Sequence, residues 1–202
     1  MQTLSVPELT ADVGLSARPD VLLIAASASV EALGPMRSIV AMKEAANVVL
    51  AHLTEIHPSA EIVARRLHLG GASADKAAKV ERADVQFDAE VRVPLEERLE
   101  LWSRAERAAR VCEALARAAI ELSKRKPAVK LGWREPLPRV LNVEPARERL
   151  IESYNTRIRR LLDGVGGGAL SLPWDAPLEV SQYAVSLDEV RLTLGAGGAA
   201  RR

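Results

Sequence analysis

The stretch ADVQFDAEVRV at residues 83–93 alternates without a break. Val85, Phe87, Ala89, Val91 and Val93 fall on one side of an extended chain, while Gln86, Asp88, Glu90 and Arg92 fall on the other. Such a strand buries one face and wets the other. Strands of a doubly wound parallel sheet are covered on both faces and read as apolar throughout, so the alternation predicts an antiparallel sheet with an exposed side. The fold class that follows is α+β, with antiparallel sheets and helices packed on one face.

Working outward, VLLIAASASV at 21–30 is apolar on both faces at first and then small on both, as suits a central strand. An earlier strand is predicted over 11–17, followed by a hairpin-like reversal at Arg18-Pro19-Asp20. Ile39, Lys43, Ala46, Leu50 and Leu53 recur at helical spacing, with Met42, Val49 and Ile56 beside them, which places a first helix at about 36–56, with Pro35 in its first turn. His57-Pro58 stops it, because the residue before proline is driven out of the helical region. A strand over 61–69 and a flexible loop at 70–75 follow.

The second helix is predicted over 95–124. Its inward stripe is read as Leu95, Leu99, Trp102, Ala105, Ala109, Cys112, Leu115, Ala119 and Leu122. Glu100–Arg104, Glu106–Arg110, Glu113–Arg117 and Glu121–Arg125 lie at i,i+4 with the acid first, the favourable order for pairs on a solvated face. Residues 128–133 read as a short strand, and Pro136 and Pro138 as a connection. Asn142 caps a third helix that runs to Leu162, where the glycines of 164–168 end it. Strands over 178–184 and 189–194 close the chain. The expected organisation is a flexible segment at 1–10, one domain over 11–195 and a flexible tail at 196–202.

This order of elements resembles the SIMPL domain family. The residues that carry the resemblance are VGLSARPDVLLIAASASVEA (13–32), Met42-Lys43-Glu44-Ala45-Ala46-Asn47, ADVQFDAEVRV (83–93), VEPARERLIESYNTRIRRLL (143–162) and LEVSQYAVSLDEVRLTL (178–194). It implies an α+β fold in two βαβ-like halves, and members that are often secreted or periplasmic and in some cases self-assembling. It supplies no catalytic residue to carry over.

Composition narrows the function classes. Hydrophobic residues make up 48% and charged residues 27%, which excludes a disordered chain. Aromatics at 3% leave too few rings for a platform that stacks bases or sugars. A net charge of +1 creates no global field to gather nucleic acid, which makes it an unexpected partner. No run of apolar residues is long enough to span a bilayer, and the start of the chain lacks a basic segment followed by an apolar one. A cytoplasmic location is therefore expected; if a leader precedes residue 1, the periplasm or the exterior replaces it.

Candidate chemistry is sparse. Cys112 is the single cysteine, which rules out an internal disulfide, and it reads as a buried thiol. His52 and His57 are five residues apart, a spacing that does not share a helix face, so neither they nor His68 is read as a metal ligand. Gly-x-Ser-x-Gly and His-Glu-x-x-His are both missing from the sequence. No enzyme activity and no cofactor are expected.

Two sets of residues remain. Arg65, Arg66, Lys124, Arg125 and Lys126 are candidates for an anion-binding surface, if the fold gathers them; the plainer reading is solvated strand and helix ends. Trp133 and Trp174, beside prolines in loop-like sequence, are candidate interface anchors, whereas Trp102 reads as core. The expected function is non-catalytic assembly, as a homo-oligomer or with a protein partner. A binding module for a small anion or nucleic acid, and an enzyme of uncharacterised type, are the alternatives.

Overall fold

Four segments of small and β-branched residues meet edge to edge, and their pairing defines the architecture. The structure is a computed structural model that describes residues 13–70, 73–75, 80–96, 98–164 and 178–196. The expected flexible segment 1–10, the tail beyond Ala196, the glycines of 166–168 and Trp174 lie outside the described residues. In chain order the elements are β1 (Val13–Ala17), β2 (Val21–Leu33), α1 (Pro35–Thr54), β3 (Glu61–Leu69), β4 (Ser73–Asp75) and β5 (Val80–Pro94). There follow α2 (Leu101–Ser123), β6 (Val129–Trp133), β7 (Leu137–Arg139), α3 (Glu144–Gly164), β8 (Leu178–Ala184) and β9 (Val190–Ala196). They form two units, one of Pro19–Arg139 and one joining Met1–Arg18 to Val140–Arg202.

The unit of Pro19–Arg139 is α+β, with its sheet in the order β3-β5-β2-β6 and every neighbour antiparallel. β2 and β3 therefore run the same way with β5 between them, and β5 and β6 run the same way with β2 between them. That makes two split βαβ halves, β2-α1-β3 and β5-α2-β6. The register matches the alternation read at 83–93: Val85, Ala89, Val91 and Val93 are buried and stand opposite Val30, Ala26, Ile24 and Leu22. α1 closes over this face, its Met42, Ala45 and Val49 meeting Ala26, Ala28, Ala89 and Val91 around a void of only about 30 Å³. Gly34 turns the chain into α1 with φ 77, a backbone angle that glycine adopts without strain, and Pro35 opens the helix.

α2 differs from its prediction at both its start and its face. It begins at Leu101, because Leu95 is drawn inward instead, its N–H donating to the carbonyl of Asp20 at 2.7 Å. The buried face is Arg104, Val111, Ala114, Leu115, Ala118 and Leu122, so the helix is rotated from the expected stripe. Trp102, expected in the core, is 82% exposed. Arg104, expected on the wet face with Glu100, has no exposure at all. Its guanidinium donates to the carbonyls of Leu99 (2.9 Å), Pro19 (2.8 Å) and Glu96 (3.3 Å) and so folds the strand-to-helix connection around itself.

Three smaller expectations also change. Residues 73–75 of the expected loop form β4, paired with β5. Pro138 lies within β7, opposite Leu22 at the sheet margin, where a strand tolerates a residue that cannot donate. The reversal at Arg18-Pro19-Asp20 makes no hairpin, since β1 pairs with β9 in the other unit and not with β2.

The second unit holds a three-stranded antiparallel sheet in the order β1-β9-β8, with α3 on it. Val190, Leu192 and Leu194 of β9 and Leu150 of α3 form its buried centre, with Leu15, Val143 and Tyr154 packed around them. The N-cap position falls on Val143, whose carbonyl accepts from the N–H of Arg147, and Asn142 supports the helix start from one residue further out, its Oδ1 accepting from the N–H of Glu144 at 3.3 Å.

Candidate interaction surfaces

The wet face of the larger sheet holds the charged residues that the sequence set apart. Glu90, Arg92 and Glu61 lie on it together with Arg65, which sits at a β-bulge between Ala64 and Arg66. Arg65 donates to Glu90 at 2.6 Å, and Arg92 donates to Glu90 at 2.8 Å and to Glu61 at 3.1 Å. Partial burial raises the Glu90 pKa, but the hydrogen bonds and charges of Arg65 and Arg92 outweigh it and hold the carboxyl below its ordinary value. Arg92 is correspondingly raised, first by its hydrogen bond to Glu90. Arg65 is therefore engaged within the sheet.

The five basic candidates do not converge. Arg65 and Arg66 are on edge strand β3, whereas Lys124, Arg125 and Lys126 precede β6 at the opposite edge. Three interstrand steps separate those edges, roughly 14 Å of sheet. Arg125 is paired with Glu121 at 2.5 Å. Arg66, Lys124 and Lys126 are exposed.

Between the edges runs a polar trough. Its floor is low because the outward residues of β2 are Ala25, Ser27 and Ser29, while β5 and β6 raise Gln86 and Lys130 on either side. An open volume of about 510 Å³ lies over Ser29, His68, Asp84, Gln86 and Lys130. It continues into about 370 Å³ over Ser27 and Gly132. Gly70 closes one end, where a side chain would press on the Asp84 carbonyl at 3.0 Å. Small-molecule sites combine a predominantly apolar concave lining with a few polar groups, whereas this open trough mixes the two, with Val30, Val85 and Leu131 among the polar side chains.

The histidines are structural neighbours of acids. His52 Nε2 lies 3.3 Å from Glu121 and His57 Nε2 lies 3.6 Å from Glu96. Glu96 has its pKa raised by burial but lowered by more through its own backbone N–H, Arg107 and His57, for a net lowering. His68 is on β3, away from both. Among the described residues no three His, Cys, Asp or Glu side chains are gathered as metal ligands would be, and no helix is long and apolar enough to cross a membrane.

The tryptophans divide differently from their prediction. Trp133 is half-buried at the end of β6, on the helix-covered face opposite Ala26. Of the two described tryptophans Trp102 is the exposed one, with Leu101 beside it at 43% and Ile120 at 57% further along α2. Between Trp102 and Ile120 the same flank carries Ala105, Ala109, Cys112 and Ala116, each partly or fully exposed. The sequence signal was there but misassigned: α2 has two adjacent apolar stripes, and periodicity alone does not say which one the sheet takes. Arg104, lying within the other stripe, made that stripe look polar. Burial first, and then the nearby Glu135 carboxylate, raise the Cys112 pKa and keep it as a thiol at neutral pH.

No protein-family model matches this chain, and no curated protein matches it. Solved structures with a likeness include a protein classed as an aminohydrolase from methicillin-resistant Staphylococcus aureus, at 13% identity and a TM-score of 0.36 over 71% of this chain and 37% of that one. Others are a hydantoinase/carbamoylase family amidase from Burkholderia ambifaria, at 14% identity and 0.30 over 68% and 34%, and an amidase of that family from Burkholderia vietnamiensis, at 13% and 0.31 over 61% and 29%. This chain spans about a third of the length of those chains. Likeness at this level carries nothing about activity.

Proposed function

We propose that this chain is a non-catalytic, SIMPL-like cytoplasmic protein that acts by assembly, with itself or with a protein partner. The observation that carries the proposal is Trp102, 82% exposed on a helix in a chain with three tryptophans. A large ring left in water forgoes roughly 2–3 kcal/mol of burial, and covering it in a partner recovers that energy, which is why tryptophan anchors interfaces. The split βαβ halves and the antiparallel sheets support the SIMPL-like reading. The paired states of Arg65 and Arg125 speak against nucleic acid as the partner.

The test is light scattering on the full chain over the micromolar range, together with pull-downs using wild type and Trp102→Ala as bait. The expected result is a mass above the monomer, or a captured protein, that is lost in the variant. A strict monomer that captures nothing would overturn the proposal.

A further inference from the structure

α2 carries a sequence of charges that is its own complement when read backwards. Beside the exposed apolar ridge stand Glu106, Arg110, Glu113 and Arg117, all on the outer flank and all exposed or half-buried. We infer that the partner of this ridge is a second copy of the chain, with the two α2 helices crossing antiparallel about a two-fold axis between Ala109 and Cys112. The inference rests on the assembly reading above and names its partner.

The register follows from pairing the flank. Set antiparallel, Glu106 of one copy faces Arg117 of the other, and Arg110 faces Glu113, twice over by symmetry. In that same register Trp102 covers Ile120 of the other copy, Ala105 meets Ala116, and Ala109 meets Cys112. Small residues thus fill the middle, where the axes approach to about 8 Å, and large ones the two ends. The contact runs about 27 Å along the helix at 1.5 Å per residue. A parallel pair about a two-fold axis would instead set this charged flank against the alanine and Cys112 flank of the other copy, and the four opposite-charge contacts would not form.

The ridge is open to such a partner, because it lies on the flank of α2 turned away from α1. On the opposite flank Glu121 reaches His52 of α1 at 3.3 Å, whereas Arg117, at the border of the two flanks, lies 3.8 Å from the exposed Glu55 and would exchange that surface partner for Glu106 of the other copy. Arg110 already bonds Glu106 of its own helix at 2.5 Å, so the interface exchanges surface pairs and leaves no charge stranded.

The experiment uses two charge variants of the full chain, Glu106→Arg with Glu113→Arg, and Arg110→Glu with Arg117→Glu. Each alone brings like charges together and is expected to weaken self-association at least about tenfold, and an equimolar mixture to restore it as a heterodimer. Circular dichroism checks the fold of each. Cys112 adds a second readout, since as the single cysteine near the axis it should link two wild-type copies through a short bismaleimide. Variants that associate like wild type, or a mixture that stays monomeric, overturn the inference while wild-type assembly leaves the broader reading standing. A wild-type monomer whose captured partner is lost with Trp102→Ala overturns the second copy alone. A wild-type monomer with no partner overturns both.

Discussion

Arg104 bears three backbone carbonyls on one fully buried guanidinium. Replacing it with methionine keeps the apolar stem but leaves those carbonyls without their charged donor. The expected cost is about 3 kcal/mol, read as a lower urea midpoint at an unchanged denaturant slope. A loss below about 1 kcal/mol would mean that water takes over the carbonyls. Glu90 makes a second prediction at this scale. Its folded pKa lies below the ordinary 4.5, so its stabilising pairing is complete above that value and is lost as pH falls through the folded pKa. Glu90→Gln should cost no more than about 1 kcal/mol near neutrality, and should flatten the stability profile of the wild type on the acid side. An unchanged acid slope in denaturation midpoints would show that Arg65 and Arg92 do not hold the carboxylate.

At the scale of elements, the strands were largely legible and the helix faces less so. The strict alternation at 83–93 fixed the face and register of β5, because a strand has only two sides and a one-residue slip would put Gln86 and Asp88 into the core. β8 fell at the expected 178–184, and β9 began one residue later than expected. α2 did not yield in the same way. Its alanines make two adjacent apolar stripes, and only the tertiary position of Arg104 decides between them. The same ambiguity hid Trp102, and Pro138 hid β7 because proline reads as a breaker when its strand's outer edge is out of view. The assignment of faces makes a sharp contrast. Leu115→Ala, on the buried stripe, should lose about 3 kcal/mol, whereas Trp102→Ala should change monomer stability by no more than about 0.5 kcal/mol. Equal losses in chemical denaturation would put Trp102 back in the core.

At the scale of the whole chain, the two units differ in the core that their described residues build. The unit of Pro19–Arg139 has a long central strand pair and two helices behind it, while the other centres on Leu150, Val190, Leu192 and Leu194. A small sheet with one helix has little to set against the entropy of ordering its chain. Amide exchange should therefore be faster in β9 than in β2, and Leu192→Ala should unprotect β1, β8 and β9 while leaving β2 and β5 slow. Uniform exchange across both would show that they unfold together. Nothing in a sequence reveals that β3 and β6 lie at opposite edges of one sheet, so the separation of the basic candidates was not legible in it. The measurement that bears most directly on assembly is the mass of the full chain in solution at micromolar concentration. Wild type should weigh a multiple of 21.8 kDa and Trp102→Ala should fall back toward it; wild type holding at 21.8 kDa throughout, with the variant indistinguishable from it, would contradict self-assembly through this face.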